Sequence, residues 1–465
     1  MKKGSILELE IETTAFGGKG LARADSMVVF VDQALPGEQV VARVVKKKKN
    51  WAEARLLEIK RPSPHRIEAP CPYSGFCGGC KWQFLAYPKQ VEYKTRHVEE
   101  ACRHIGLLEN VKVLPGIASE AVFGYRNKME FSCSDRRWLL PEQLGRQDMD
   151  ISFALGLHVP GTFYKVLDID ACLLQPDQGN QILGVVREYI RSSGVPVYGL
   201  RTHAGFWRFV VLRHCLNEDG WMVNIVTAEQ RRDQVEPLAR LLTEKFPNIT
   251  SVVNNITASK AQVAFGEREI LLCGRPYLIE GIGRYRFEIS ANSFFQTNTR
   301  GAARLYEVVS AYCALSGTEK VLDLYCGAGT ISIFLAGRAS EVVGLEMVPT
   351  AVSDAVKNCR RNGIDNCRFI AGDIRYSLKQ VELTPDVMVI DPPRAGMHKD
   401  VVRQILAMAP PRIVYVSCNP ATMARDLFMM KDDYLPVEVQ PVDMFPHTYH
   451  IESVALLARK GAKTT

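Results

Sequence analysis

A chain of 465 residues is too long for one hydrophobic core and ample for two or three domains. With 47% apolar and 23% charged residues the composition is globular, which excludes a disordered or fibrous chain. The net charge is a modest +7, and no apolar run approaches the roughly 20 residues of a helical membrane span. The N-terminus, Met-Lys-Lys-Gly-Ser followed by Glu8, Glu10 and Glu12, lacks the apolar centre of an export signal, so a cytoplasmic location is expected. There the 13 cysteines read as thiols, metal ligands or nucleophiles rather than disulfides.

Residues 1–62 hold 12 Lys and Arg against 8 Asp and Glu, so more than half of the positive excess sits at this end. Ile6–Ile11, Met27–Val31, Gln39–Val45 and Trp51–Ile59 alternate apolar and polar residues with strand periodicity. Turns rich in glycine or proline at 16–20 and 35–38 separate them, which predicts a small barrel of the oligonucleotide-binding kind. The run Lys46-Lys47-Lys48-Lys49 suits phosphate contacts, which position a nucleic acid without reading its bases. A solvated lysine face would look the same.

Arg61-Pro62-Ser63-Pro64 reads as a linker, and Cys71-x5-Cys77-Gly78-Gly79-Cys80 follows it. Three cysteines in ten residues, with glycines between them, can turn their thiolates toward one centre, and Cys172 offers a fourth. Four thiolates suit a tetrahedral zinc or a [4Fe–4S] cluster, and three local cysteines with one distant one favour the cluster. The spacing differs from the C-x3-C-x2-C of a radical enzyme, so a saturated, structural site is expected. A helix is predicted over about 89–105, and 123–285 mixes strands and helices without a clean repeat.

From Lys320 onward, strands at 320–325, 341–346, 366–372, 386–390 and 412–417 alternate with helices at about 330–336, 349–362, 399–409 and 419–431. That alternation predicts a parallel, doubly wound sheet, closed by an antiparallel pair at about 437–443 and 451–459. Each of the first five strands ends on a chemically capable residue. The first runs into Tyr325-Cys326-Gly327-Ala328-Gly329-Thr330, a turn that lets backbone approach a ligand closely. Glu346 ends the second, where a carboxylate can take both hydroxyls of a ribose, and Asp373 at the third could meet an adenine amino group. Turn, acid, acid in that order suggests S-adenosylmethionine. Asp391-Pro392-Pro393-Arg394 fixes a rigid loop after the fourth strand. Cys418 sits where the fifth strand stops and a helix starts, so backbone N–H groups are expected to stabilise its thiolate. His447 and His450 read as loop supports, and the eight other cysteines, Cys326 among them, as packing residues.

Together these residues resemble the RNA uracil-5-methyltransferase family, and within it the iron–sulfur branch acting on 23S ribosomal RNA. The matching pieces are Ser290 to Gln296, Asp323 to Thr330, Asp391-Pro392-Pro393-Arg394, Ser417-Cys418-Asn419-Pro420 and His450-Ile451-Glu452-Ser453-Val454, with the four cysteines and the barrel. The resemblance implies an α/β protein in three parts. An OB-like TRAM barrel would cover 1–62, a central α+β iron–sulfur domain 63–285, and a Rossmann-like class I methyltransferase sheet 286–465. It implies that Gln296, Tyr325, Thr330, Glu346, Asp373 and Asp391 line the S-adenosylmethionine and uracil site, with Cys418 as nucleophile and Glu452 as base. Cys71, Cys77, Cys80 and Cys172 would hold a [4Fe–4S] cluster. The expected substrate is a uridine of ribosomal RNA flipped out of its stack, acted on by a monomer. Transfer RNA is the second candidate substrate. Two readings from other classes, an iron–sulfur redox or radical enzyme and a non-catalytic RNA-binding protein, leave Cys418 and Glu452 without a role.

Overall fold

The computed structural model describes residues 1–461. The N-terminal sheet has six strands in the order Ile6–Glu10, Gln39–Lys47, Trp51–Arg61, Met27–Asp32, Gly20–Ala24 and Thr13–Thr14. Alternate side chains of these strands (Leu9, Ala22, Val29, Val31, Val40, Ala42) point inward and close a small core. Three register shifts between Gln39–Lys47 and Trp51–Arg61 let that long pair curl. The strands at 13–14 and 20–24 were not expected. They flank a turn whose glycines mask their periodicity.

The central sheet has seven strands, ordered Val166–Asp168, Ala154–His158, Lys128–Ser134, Trp207–Cys215, Gly220–Thr227, Ile249–Ile256 and Arg268–Gly274. Helices Asp177–Ser192 and Arg232–Lys245 supply Ile182, Val186, Leu238 and Leu242 to the core beneath it.

The C-terminal sheet carries strands β1 (Lys320–Leu324), β2 (Glu341–Glu346), β3 (Cys367–Ala371), β4 (Val387–Ile390), β5 (Arg412–Ser417), β6 (Tyr434–Val442) and β7 (Glu452–Arg459). Their order is β3-β2-β1-β4-β5-β7-β6. The first five run parallel, and β7 inserts antiparallel between β5 and β6. The order reverses beside β1, and open α/β sheets bind ligands at the carboxyl ends next to such a switch point. The main helices follow the predicted spacing. Asp373 differs: β3 stops at Ala371, and Asp373 caps a four-residue helix, Ile374–Ser377.

Helix α1 (Tyr87–His104) packs Val98 and Cys102 on the C-terminal sheet, beside helices Lys399–Met408 and Pro420–Met430. Residues Lys112–Val113 then add a parallel edge strand to β6. The segment just after the barrel is therefore built into the C-terminal sheet, a long-range pairing that no local periodicity announces.

Candidate active site

The site is built at the carboxyl ends of β1, β2, β4 and β5. After β1 the chain bends with positive φ at Tyr325 (+65°), Gly327 (+55°) and Gly329 (+76°). A side chain at Gly329 would stand 2.9 Å from Ala355 Cβ and Phe369 Cζ, so both conformation and space demand glycine there. The Gly327 N–H donates to Glu346 Oε2 (3.0 Å) and the Val348 N–H to Oε1 (2.8 Å), which fixes the carboxylate against the turn. Asp323, wholly buried on β1, accepts from Ser332 Oγ, and burial lifts its carboxyl to about 7.

Of the other expected cofactor residues, Tyr325 and Thr330 belong to this turn. Thr330 Oγ1 lies 2.8 Å from the buried Tyr306 hydroxyl. Tyr325 is half-buried, and burial pushes its phenol up to about 12. Gln296 is half-buried just before helix Thr299–Cys313, and its carbonyl accepts from Asn127 Nδ2 (2.9 Å). Asp373 does not stand free for an adenine. Its carboxylate oxygens face the Arg375 guanidinium, which holds the carboxyl below its usual range.

Asp391 follows β4, and its N–H donates to Leu324 O (3.2 Å), tying the β4 and β1 ends together. Burial raises its carboxyl to about 6. The Pro392-Pro393 loop is anchored by the Arg394 carbonyl, which accepts from Asn419 Nδ2 and Thr422 Oγ1, both at 3.2 Å. Asn419 also caps helix Pro420–Met430 through Ala421 N–H (3.1 Å).

Cys418 and Glu452 meet by strand register. Ser417 of β5 pairs with Ser453 of β7, so the next residue beyond that pair on each strand is Cys418 and Glu452. Glu452 is buried, and its carboxyl is raised well above the ordinary range by burial and by Asp391, against the pull of Arg394. The Cys418 thiol also sits above its usual value. Burial is the main cause and the Glu452 carboxylate the next, while Arg394 works the other way. Burial thus works against the thiolate that the strand-to-helix position was expected to stabilise. Nearby carboxylates raise the thiol only while charged, so a proton on Glu452 or Asp391 relieves that part.

Sequence reasoning quoted Arg394 but gave it no role. The structure puts its guanidinium beside the Cys418 thiol and 2.7 Å from His450 Nδ1. His450 is held neutral, at about 4, by burial and by Arg394. A cation at the tip of a proline-fixed strand-end loop was the available signal. His447 supports its loop as expected: its carbonyl accepts from Lys81 N–H (2.8 Å) and Trp82 N–H (2.9 Å), and its ring stacks on Phe123 at 4.3 Å.

A second unforeseen group is Lys94 of α1. Its ammonium donates to Asp443 Oδ1 (2.7 Å) and to Phe445 O (3.0 Å), and neither charged side chain has any exposure. This pair braces the loop from β6 to β7 that delivers Glu452. Breaking a buried pair leaves one charge unpaired, so Lys94→Met is expected to cost roughly 3–5 kcal/mol of stability. Denaturant unfolding measures it, and a loss under 1 kcal/mol would show that the brace is dispensable.

Cys71, Cys77, Cys80 and Cys172 all line one cavity of about 670 Å³, with Gly78, Gly79 and His158. Burial is the main cause raising Cys77 to about 11 and Cys80 to about 12, and each feels the thiols of Cys172 and Cys71 as well. The Gly79 N–H donates to Cys77 Sγ (3.4 Å) and Gln83 Nε2 to Cys80 Sγ (3.3 Å). Among the described residues no three His, Cys, Asp or Glu side chains gather closely enough for one metal ion. The four cysteines nonetheless line the same cavity, and two of their sulfurs accept from N–H groups.

A glycine turn at the switch point of a doubly wound sheet, with a strand-end acid held against it, marks the class I methyltransferase fold. The comparisons with known proteins agree. The tRNA (Uracil-5-)-methyltransferase family matches residues 279–460 and the TRAM domain residues 1–57. An uncharacterized RNA methyltransferase of Porphyromonas gingivalis is 42% identical, covering 97% of this chain and 99% of the relative. One from Chlorobaculum tepidum is 40% identical over 98% and 97%. The solved Pyrococcus abyssi tRNA (uracil-54, C5)-methyltransferase, in complex with S-adenosyl-L-homocysteine, is 30% identical with a TM-score of 0.77. It covers 97% of this chain and 99% of its own. The chain belongs to the RNA uracil-5-methyltransferase family and is an S-adenosylmethionine-dependent enzyme acting on RNA.

Proposed function

We propose that the enzyme methylates carbon 5 of a single flipped-out uridine in 23S ribosomal RNA through a covalent adduct on Cys418. The observation that carries this reading is the β5–β7 register, which sets Cys418 beside Glu452 at the same end of the sheet as the glycine turn. Carbon 5 of uracil is too weak a nucleophile to take a methyl group unaided. Addition of Cys418 Sγ to carbon 6 moves an electron pair onto carbon 5 as an enolate, which attacks the methyl group. S-adenosylmethionine, when bound, supplies that group on a positively charged sulfur. Glu452 then takes the carbon 5 proton, the C6–S bond breaks, and the thiolate leaves. Arg394 stabilises the thiolate, and Asp391, protonated near pH 6, can donate to the uracil edge. Gln296, Tyr325, Thr330, Glu346 and Asp373 complete the pocket, with Asp373 leaving Arg375 to do so.

The ribosomal target rests on the resemblance to the iron–sulfur branch and on the four-cysteine cavity. A second reading, transfer RNA, is favoured by the full-length likeness to the Pyrococcus abyssi enzyme. Mapping 5-methyluridine in both RNAs from a strain lacking the gene decides between them. Loss from 23S RNA alone is expected; loss from transfer RNA alone selects the second reading.

Cys71, Cys77, Cys80 and Cys172 would hold a [4Fe–4S] cluster, which when bound ties the cysteine loop to the central sheet. Anaerobically purified protein is expected to be brown, with about four irons per chain. Cys172→Ser should lose the colour and the iron together. One zinc per chain and no iron would contradict the assignment.

A further inference from the structure

The barrel reaches into the mouth of the active site. Its turn at 15–19 closes with the Gly18 N–H on Ala15 O (3.0 Å) and the Ala15 N–H on Lys19 O (2.8 Å). Gly17 and Gly18 take φ of +109° and +85°, so the turn needs glycine at both. It is pinned from outside as well. Trp82 Nε1 donates to Gly18 O (3.0 Å), and His97 Nε2 stands 3.0 Å from Thr14 Oγ1 and from Thr14 O. A Cβ on Gly18 would come within 3.3 Å of Trp82 Nε1 and 3.5 Å of Tyr449 Cβ, which measures how closely the turn is seated.

This fixed turn holds out one large apolar side chain, Phe16, with 42% of its surface exposed. Its ring meets Tyr449 edge-on, with centroids 5.6 Å apart, and Tyr449 lies 4.1 Å from His450. His450 touches Arg394, and Arg394 touches Cys418. Three rings, Phe16, Tyr449 and His450, thus lead from the barrel to Arg394, which stands beside the nucleophile. A single exposed phenylalanine is ordinary on a protein surface. One held rigid by its own turn and by external hydrogen bonds, on an RNA-binding barrel at the cleft mouth, has lost the freedom that makes such residues incidental.

We propose that Phe16, with Tyr449 behind it, is the stacking platform for a base adjacent to the target uridine. The proposal rests on the reading of Cys418 and Glu452 as the catalytic pair. Flipping one uridine strips its neighbours of a stacking partner, and an aromatic face replaces it whatever the base. The barrel then does more than hold phosphates: it sets how far along the strand the target lies from its docked turn.

The test uses the full-length protein and fluorescein-labelled single-stranded oligoribonucleotides centred on one uridine. Matched probes carry an abasic residue immediately 5′ or 3′ of it. Phe16→Leu keeps apolar bulk against His97 and Tyr449 but has no ring face; Phe16→Ala removes both; Phe16→Trp keeps a face. Loss of a base–aromatic stack should weaken binding of the intact probe roughly five- to a hundredfold in the Leu and Ala variants, with Trp close to native. On one of the two abasic probes the difference between native protein and Phe16→Leu should disappear. Native affinity in Phe16→Leu overturns the proposal, as does a loss that persists undiminished on both abasic probes, or an equal loss in Phe16→Trp. Binding is read without methyl transfer, so failure of the Cys418 assignment would show separately, as an active Cys418→Ala enzyme.

Discussion

Cys418→Ala is expected to abolish methyl transfer to RNA while leaving S-adenosylmethionine affinity within about twofold of native. The two halves of that result come from different parts of the site. Cofactor contacts are assigned to the turn after β1 and to Glu346, which the Gly327 and Val348 N–H groups hold in place whatever stands at 418. Cys418 lies across the crevice after β5, and alanine there removes only the sulfur. Without the thiolate no electron pair reaches carbon 5, and no group nearby substitutes. Cys326, the closest cysteine to the turn, is buried, and its thiol is raised well above the usual value by that burial. Calorimetric titration with the cofactor and transfer of labelled methyl to RNA measure the two halves. Native-rate transfer by the alanine variant would give the reaction to another nucleophile.

Glu452→Gln is expected to transfer the methyl group and then stall. Glutamine keeps the size and hydrogen bonding of the side chain but cannot take the carbon 5 proton. The RNA should therefore remain attached through Cys418, as a band that survives denaturing electrophoresis. Turnover should fall by about 10²–10⁴, the usual cost of a lost general base. The pH profile supplies a second readout. Burial and Asp391 raise the Glu452 carboxyl, so the base is protonated at low pH and the rate should climb with pH through a limb above the ordinary carboxylate range. In the glutamine variant the Glu452 contribution to that limb should vanish. Native turnover with no trapped adduct would send the proton elsewhere, and neutral His450, beside Arg394, is the next candidate.

What was legible in the sequence is what repeats or punctuates locally. Alternating strand and helix from Lys320 onward announced the parallel sheet, and the glycines at 327 and 329 announced its turn, because each signal lies within a few residues. Cys418 and Glu452 could be named from their motifs. Their juxtaposition depends on β7 inserting between β5 and β6, a matter of sheet order. Other features were hidden for definite reasons. Lys94 and Asp443 are 349 residues apart, and only a lysine on the buried face of α1, with Gln90, His97 and Val98, hinted that it had a partner. Asp373 was read at a strand end because its pairing with Arg375 needs the short helix that its own cap begins. The burial that raises the Cys418 thiol was not legible either, because it depends on which strands pack around it. The docking of the Phe16 turn was invisible because it joins barrel residues to His97, Trp82 and Tyr449.

The claim on which the rest depends is that the methyl group goes to carbon 5 of uridine, displacing its hydrogen. RNA made with uridine tritiated at carbon 5 tests this directly. Incubated with enzyme and carbon-14-labelled S-adenosylmethionine, it should release one tritium to water for each methyl group gained, at equal rates. Methyl incorporation with the tritium retained would place the group on a nitrogen, a ribose oxygen or another base, and would contradict the account.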